Sequence, residues 1–281
     1  MSHGFARTGL ASTRVPTSHS GGWVRPADWV TLPTVLDGDQ KIVMLVAVFN
    51  TTNFLAFSAT GNYTVDWGDG AAPTNYSSGT TAQKSFAWSD YSPSTLTSQG
   101  FRQAVVTITP QSGQNLTALN LNIRHTTPTV AHTTGVLEVV MSAPYFTAMS
   151  FYTWSVAYYS WIVAYRMLRR FEWVGSCPIT GFADMFNGCS SLSSVELDTS
   201  SGTNFSNMFQ SCSSLSSVIL TGCKYTVSVA NGVLSGTALD ALYTSLGTAA
   251  GSQTITVSGN YGTSSDTPSI ATAKGFTVSG S

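Results

Sequence analysis

The clearest shortage in this 281-residue sequence is charge, since Asp, Glu, Lys and Arg make up only 9% of it. The 12 basic and 13 acidic residues give a net charge of −1, and no basic run is longer than Arg169-Arg170. This composition excludes the electrostatic footprint of a protein that binds nucleic acid or an anionic membrane. The surface must be built from Ser, Thr, Asn and Gly, and the 11% of aromatic residues predicts that partner subunits cover much of it.

Two kinds of apolar segment are also missing. Residues 1–20 are polar and contain no apolar core of a secretory signal. Residues 151–165 are rich in apolar side chains, but they include Thr153, Ser155 and Ser160 and are too short to span a bilayer. We therefore expect no membrane insertion.

Cysteine is scarce, and its four positions do not have the spacing of a zinc site. Cys189 and Cys212 fall at the same phase of a sequence repeat, so they are expected to lie close together. Small apolar residues filling equivalent inward positions are a better interpretation than a disulfide or a metal pair. That interpretation fits assembly in a reducing cytoplasm. Neither a metal nor a cofactor is expected.

The strongest pattern that is present is an internal repeat. The sequence from Met185 to Leu197 returns 23 positions later, from Met208 to Leu220. Fainter apolar triplets begin at Phe146 and Leu168, before those of the two clear copies at Leu192 and Leu215. A period in the low twenties with an L-x-x-V-x-L core predicts a leucine-rich-repeat-like solenoid, which we assign to residues 136–236. In each copy a helical turn should precede a short strand, and successive strands should pair in parallel.

The outward positions of these strands form a candidate contact strip. The predicted rows are Ala148, Arg170, Ser194 and Ser217, and beside them Ser150, Glu172, Glu196 and Ile219. Such a shallow surface suits binding better than catalysis, because it brings no acid, base and nucleophile together. The alternative is that the rows are only a solvated sheet face.

The N-terminal segment, residues 1–38, is predicted to be an extended docking arm. It is rich in Gly, Ser, Thr and Pro and shows neither a helical nor a strand period. Its apolar residues are too few for a core, but they could anchor in a groove of another subunit. The candidate assembly residues are Trp23, Arg25, Trp29 and Leu32.

Residues 39–124 are predicted to form an antiparallel β-sandwich. Short alternating or β-branched runs recur at close spacing, which favours this fold. The expected strands are 41–49, 53–58, 62–67, 83–88, 102–109 and 116–123. A Thr/Pro-rich linker, residues 125–135, contains His125 and His132, and no catalytic spacing surrounds either histidine.

The sharpest motif of this sandwich is the string from Tyr63 to Gly70, which includes Asp66, Trp67, Gly68, Asp69 and Gly70. Asp-Gly supplies the positive φ angles of a tight turn, and the Asp side chains can bond the turn's own amides. Trp67 can lie across the strand pair as a plug. The Y-x-V-D-W-G-D-G string resembles the turn signature of the polycystic-kidney-disease (PKD-like) sandwich, which implies a structural role. Paired-carboxylate catalysis and calcium binding by Asp66 and Asp69 are weaker alternatives.

Residues 237–281 are predicted to cap the repeat stack. Leu239, Leu242, Tyr243 and Leu246 have helical spacing, with Thr237 as the expected N-cap and Gly247 just after the helix. A strand should follow at 254–257, then a short helical turn and a final strand between 267 and 278.

Together these features resemble known proteins. The two M-F-x-x-C-S-S-L copies are similar to BspA-type surface leucine-rich repeats, and the order of parts resembles tailed-bacteriophage virion proteins of the tail-fibre type. The matching pieces are Arg25–Trp29, Val65–Gly70, Phe101–Ala104, the coils and Ser269–Phe276. The resemblance implies a non-enzymatic tail-fibre, head-fibre or decoration protein of the virion, which is assembled in the host cytoplasm. Its implied partners are capsid, portal/neck or tail proteins, further copies of itself, and a host-surface glycan or protein.

Two other functions remain open on the sequence. A bacterial surface adhesin or carbohydrate-binding module could use the same parts. A tail-associated glycan depolymerase would need paired carboxylates, and Glu172 and Glu196 are predicted neighbours roughly 4.8 Å apart in the strand-to-strand direction.

Overall fold

The computed structural model describes residues 23–51, 53–121, 123, 125, 135–150 and 167–281. Within these residues the fold is mainly β, as the sequence predicts, with two α-helices. The strands of the N-terminal half are β1 (Lys41–Val48), β2 (Asn53–Thr60), β3 (Tyr63–Asp66), β4 (Thr74–Tyr76), β5 (Thr81–Phe86), β6 (Arg102–Pro110) and β7 (Ala118–Asn120). Those of the C-terminal half are β8 (Val136–Ser142), β9 (Ala148–Ser150), β10 (Arg170–Trp173), β11 (Ser194–Asp198), β12 (Ser217–Thr221), β13 (Val227–Ser228), β14 (Gln253–Thr256) and β15 (Phe276–Ser279). The helices are α1 (Gly236–Ser245) and α2 (Ser269–Thr272).

One sheet of eight strands runs through both halves of the chain, in the order β12-β11-β10-β8-β1-β6-β3-β4. Strand β1 is antiparallel to both of its neighbours, β6 and β8. Strands β8, β10, β11 and β12 are parallel to one another. The boundary expected between a sandwich and a separate solenoid is therefore crossed by a continuous ladder of backbone hydrogen bonds.

A second sheet, in the order β5-β2-β7-β9, packs against the N-terminal part of the first. The contact contains fully buried aromatic side chains, because inward positions on both sheets carry large apolar residues. The ring of Phe57 on β2 lies 6.3 Å from that of Tyr63 and 5.7 Å from that of Trp67, between centroids. Four of the six expected strands begin within one residue of the predicted position, and β4 was not predicted.

The earliest predicted coil is wrong. Strand β9 pairs in parallel with β7 of the second sheet, with Ala148 opposite Ala118. The place beside β10 is taken by β8, with Glu138 opposite Arg170 and Val140 opposite Glu172. The apolar triplet at Phe146 misled the prediction, because a short apolar run satisfies an inward face of either sheet.

The two clear copies do stack in the predicted register, with Val195 opposite Val218. A second line of hydrogen bonds joins them away from the strands: Phe186 N donates to Met208 O at 2.9 Å, and Gly188 N donates to Gln210 O at 2.8 Å. The phenyl rings of Phe186 and Phe209 stack with centroids 5.7 Å apart. Equivalent residues thus contact each other directly, as expected where one repeat buries its face only on the next.

The segment before each strand is a series of tight turns rather than the predicted helical turn. Met185 N donates to Phe182 O at 3.2 Å, and Cys189 N donates to Phe186 O at 3.0 Å. Gly188 and Ser211 occupy equivalent positions within the two motif copies, with φ of 80° and 64°. A left-handed residue cannot continue a right-handed helix, so the chain turns without forming one.

The C-terminal segment packs beyond β12, against which α1 lies. The N-cap of α1 is Ser235 rather than Thr237, and its Oγ accepts from Ala238 N at 3.2 Å. At the other end of α1, Lys274 Nζ donates to three carbonyl oxygens, those of Tyr243, Thr244 and Leu246. Strands β13, β14 and β15 form a parallel sheet, and the predicted final helical turn and strand are α2 and β15.

Candidate contact surface

Among the described residues, the N-terminal segment covers one part of the outer face of the eight-stranded sheet and leaves the adjoining part free. Residues 23–39, which we call the strap, lie over β8, β1 and β6. Trp29 is 5% exposed and packs in a small core on this face with Leu45, Ala47, Phe101 and Leu137. Trp23, Val30 and Leu32 pack against the same cluster. These predicted assembly anchors therefore contact the chain's own sheet, while residues 1–22 of the expected arm lie outside the described residues.

Polar contacts fix both ends of this packing. Arg25 Nε donates to Glu138 Oε2 at 2.8 Å, and its two terminal nitrogens donate to the carbonyls of Trp29 and Val30. The carboxylate of Asp28 accepts from the backbone N and the hydroxyl of Ser98, both at 2.8 Å. The strap is thus held by residues that follow it in sequence by 70 or more positions.

Beyond the strap, the outward side chains of β10, β11 and β12 form the part of this face that the strap does not cover, and we call this part the strip. The strip consists of the predicted contact residues Arg170, Glu172, Ser194, Glu196, Ser217 and Ile219, all of which are half-buried. Arg170 lies opposite Ser194 and Ser194 opposite Ser217, and the second row follows the same register. Its inner neighbours on β8 are Glu138 and Val140, in place of Ala148 and Ser150.

Glu138 is the residue of this face that sequence reasoning missed. It is 1% exposed and accepts from Arg25 on one oxygen and from Arg170 Nη1 on the other, the latter at 2.5 Å. A buried carboxylate requires such partners, because desolvation would otherwise make its charge costly. The sequence feature that could have identified Glu138 is the presence of an acidic residue in the middle of the apolar run from Val136 to Met141.

Arg170 connects the strip to Glu138, the residue that holds Arg25 of the strap, because the second terminal nitrogen of Arg170 contacts Glu172. Desolvation by burial raises the pKa of the Glu172 carboxyl, Arg170 opposes the rise, and the nearby Glu196 adds to it. Glu196 lies directly opposite Glu172 on β11. The strip therefore places two carboxylates side by side with one guanidinium, which gives it an acidic character.

We expect the Glu172→Gln variant to gain stability relative to the wild type as pH rises. A carboxyl whose folded-state pKa is raised holds its proton more tightly in the folded state, so its contribution is greatest below its ordinary value of 4.5 and is lost as pH rises through the folded value. Gln cannot ionise, so the free energy of unfolding of the variant does not fall in this way. The measurement is the free energy of unfolding in urea at a series of pH values from about 3.5 to about 8. A difference between the two proteins that does not change with pH would contradict the expectation.

The turn motif has the geometry that its sequence predicts. Gly68 and Gly70 have φ of 70° and 78°. Asp66 Oδ1 accepts from Gly68 N at 2.9 Å, and Asp69 Oδ1 accepts from Ala71 N at 3.1 Å. Trp67 is 6% exposed and packs against Phe57 and Phe86.

The carboxylates of this turn already have structural partners. Lys84 contacts Asp69, and its hydrogen bond holds the pKa of that carboxyl below the ordinary value. Within the described residues, no group of three or more His, Cys, Asp or Glu side chains could hold a metal ion. The arrangement supports a structural turn and gives no support to calcium binding or acid–base catalysis there.

A matched pair of glycine variants tests this turn. A Cβ on Gly68 would lie 2.5 Å from the carbonyl oxygen of Val105, whereas a Cβ on Gly70 would meet nothing within 4 Å. We expect Gly70→Ala to cost about 1 kcal/mol of unfolding free energy from left-handed strain alone. Gly68→Ala should cost at least about 2 kcal/mol, because a backbone clash is added. Urea unfolding measures both, and equal losses would show that the close approach to β6 is unimportant.

The four cysteines are free and buried, as the apolar-filler interpretation requires. Cys212 Sγ donates to Phe186 O at 3.0 Å. Burial raises the pKa of Cys177 and Cys212 to about 12 and that of Cys223 to about 11. None of these thiols is activated for nucleophilic attack. Of the linker histidines, His125 packs against the ring of Phe54 at 4.7 Å, and His132 lies outside the described residues.

Comparisons with protein-family models, with curated proteins and with solved structures found no match for this chain. In the parts of the chain that the structure describes, no helix is long and apolar enough to cross a membrane.

Proposed function

We propose that this chain is a non-enzymatic structural component of a tailed-bacteriophage virion, of the tail-fibre, head-fibre or decoration type, which uses the strip to contact other molecules. The observation that carries the proposal is the outer face of the eight-stranded sheet. One part of that face is closed by the chain's own strap, and the adjoining part presents half-buried side chains in two rows, all of them polar except Ile219. A shallow surface of this kind suits recognition of another surface.

The finer description of the fold belongs to the same proposal. The N-terminal half, with its Asp-Gly turn and two packed sheets, is a PKD-like sandwich. The parallel strands β10 to β12, at steps of 24 and 23 residues, form a short leucine-rich-repeat-like stack on its edge. The supporting observations are the turn geometry of Gly68 and Gly70 and the direct stacking of Phe186 on Phe209.

The partners that fit are other virion proteins (capsid, portal/neck or tail), further copies of this chain, and a host-surface glycan or protein. The strip offers hydroxyl groups of Ser194 and Ser217 beside the carboxylates of Glu172 and Glu196. Such a mixture makes hydrogen bonds with sugars or with polar protein side chains. The low net charge of −1 argues against nucleic acid as a partner.

A catalytic use of the strip has less support. Glu172 and Glu196 lie opposite each other on the same open face, and Arg170 contacts the first of them. A glycosidase instead places its two carboxylates on either side of the scissile bond, within a site that surrounds the sugar. Release of reducing sugar from host polysaccharide, lost in Glu172→Gln, would establish the depolymerase instead.

The first experiment determines where the protein is located. Antibodies against the purified chain should label intact particles in immunogold electron microscopy of a producing culture, at the head or at the tail. Labelling of cell envelopes with particles unlabelled would favour the bacterial adhesin or carbohydrate-binding module. Deletion of residues 1–22, which leaves the strap in place, should then reduce incorporation into particles if the arm docks there.

The contribution of the strip is tested separately. Ser194→Arg and Ser217→Arg place a long charged side chain on the strip, while Thr277→Arg places the same side chain on exposed β15. We expect the two strip variants to reduce attachment of particles to host cells, or particle assembly, at least tenfold. The β15 variant should behave as wild type. Equal behaviour of all three variants would show that the strip is only a solvated face.

A further inference from the structure

The strap is joined to the body by one short turn. Asp39 N donates to Leu36 O at 3.2 Å, and Leu36 N donates to the carboxylate of Asp39 at 2.8 Å. Two residues of this connection are left-handed: Gly38 has φ of 85° and Gln40, which is not glycine, has φ of 46°. Gln40 follows the turn, and its side chain is held by hydrogen bonds with Asn115 and Leu116. The turn itself therefore depends on Gly38, because glycine adopts the left-handed conformation without strain.

Apart from bonds within the strap and one from Lys41 Nζ to Thr34 O, the strap's hydrogen bonds are with distant parts of the chain. Its apolar side chains fill a groove lined by Leu45, Ala47, Phe101 and Leu137, and its polar groups bond Glu138, Ser98 and Gln103. The groove recognises the strap by shape and by charge, through the Arg25–Glu138 ion pair. The same contacts would form equally well with an identical strap that belongs to another copy.

We propose that the strap exchanges between copies of this chain, so that the groove of one copy holds residues 23–37 of a second copy and the turn at Leu36–Asp39 opens. The contacts of residues 23–35 are kept in the exchanged form, whereas the turn opens and the hydrogen bond from Gly38 N to Ser142 Oγ, at 3.0 Å, changes with it. Exchange of an identical element is therefore a low-cost route to an oligomer. The inference is independent of the proposed virion function, because it concerns only this chain and its own copies.

The test uses one added cysteine in each of two chains. The Asp28 carboxylate lies 2.8 Å from Ser98 N and Oγ, so cysteines at the two positions would face each other across the contact of strap and groove. One chain carries Asp28→Cys and the other, of different mass because of a tag, carries Ser98→Cys. The native cysteines are buried and give little background. After mixing and mild oxidation with diamide, a covalent dimer of unequal chains forms efficiently only if the strap of one lies in the groove of the other.

The control partner carries Thr277→Cys, on the exposed β15, in place of Ser98→Cys. We expect at least tenfold more covalent heterodimer with Ser98→Cys than with this control on a non-reducing gel. The chains are mixed both as folded proteins and by joint refolding from urea. Exchange is then detected even if the turn opens slowly in the folded protein. Heterodimer no more abundant than the control after joint refolding would overturn the proposal.

A hinge variant gives a second measurement. Gly38→Ala keeps open space around the new Cβ but strains the left-handed position of the closed turn. The opened turn has no such strain, so the ratio of exchanged to closed straps should increase about fivefold. Gly70→Ala is the matched control, since Gly70 has a similar φ of 78° and equal space but lies in the hairpin turn. An increase in both variants, or in neither, would contradict the assignment of the hinge.

Discussion

Replacing Phe186 by Ala is expected to lower the free energy of unfolding by about 3–5 kcal/mol. Phe186 is fully buried, with its ring 5.1 Å from that of Phe171 and 5.7 Å from that of Phe209, between centroids. Removing it leaves a cavity between two coils that are hydrogen-bonded on both sides and cannot collapse easily. The matched control is Tyr261→Ala, whose side chain is 79% exposed and whose loss should cost less than about 0.5 kcal/mol.

The same variant should also destabilise the N-terminal half. Strand β8 belongs to the repeat ladder through β10 and to the N-terminal sheet through β1, so the two halves share hydrogen bonds. Urea unfolding followed by circular dichroism, with hydrogen exchange at β1 and at β11, should show one transition that shifts as a whole. Two transitions, of which only the one reported by β11 shifts, would show that the halves unfold independently.

Replacing Trp29 by Ala is expected to cost about 3–5 kcal/mol in the isolated chain. Trp29 covers an apolar part of the sheet, and its ring also lies 5.9 Å from that of Trp23 and 5.6 Å from the Arg25 guanidinium carbon. Val24→Ala, on the same strap but 83% exposed, is the control and should change little. Urea unfolding and hydrogen exchange at Leu45 and Ala47 measure the loss.

The Trp29→Ala variant separates two interpretations of the strap. If the purified variant is as stable as the wild-type chain, the tryptophan does not act as a core residue of this chain. Its role would then be the one that the sequence alone predicts, an anchor in another subunit. A loss that follows the burial of Trp29 shows that the tryptophan packs in the groove of this fold, either in its own chain or in another copy of it.

The repeat was the most predictable part of the molecule, and the reason is physical. An equal step between Leu192 and Leu215 requires equivalent surroundings, so the register of Val195 with Val218 follows directly from the sequence. The sequence of strand β8 contains no such repeat. Its Glu138 precedes the paired Arg170 by 32 residues, and its apolar sequence fits a sandwich strand equally well.

The arm and the helical turns were less predictable for different reasons. The composition shows that residues 23–39 form no core of their own. It does not show whether Trp29 covers the sheet of its own chain or that of another subunit. The M-F-x-x-C-x-x-L spacing places apolar residues on one face, and both a helix and a series of turns satisfy it. Gly188 and Ser211 decide in favour of turns, since their left-handed backbone interrupts a right-handed helix at equivalent positions within that spacing.

The shared ladder also determines how such a chain can change in length. A further coil of about 23 residues inserted between β11 and β12 would meet the same neighbours as the existing ones and would move α1 outward by about 4.8 Å. The strap, its groove and the Asp-Gly hairpin would keep their places at the other end of the sheet. Chains of this fold with different lengths can therefore arise by duplication of single coils, with the strap and its groove unchanged.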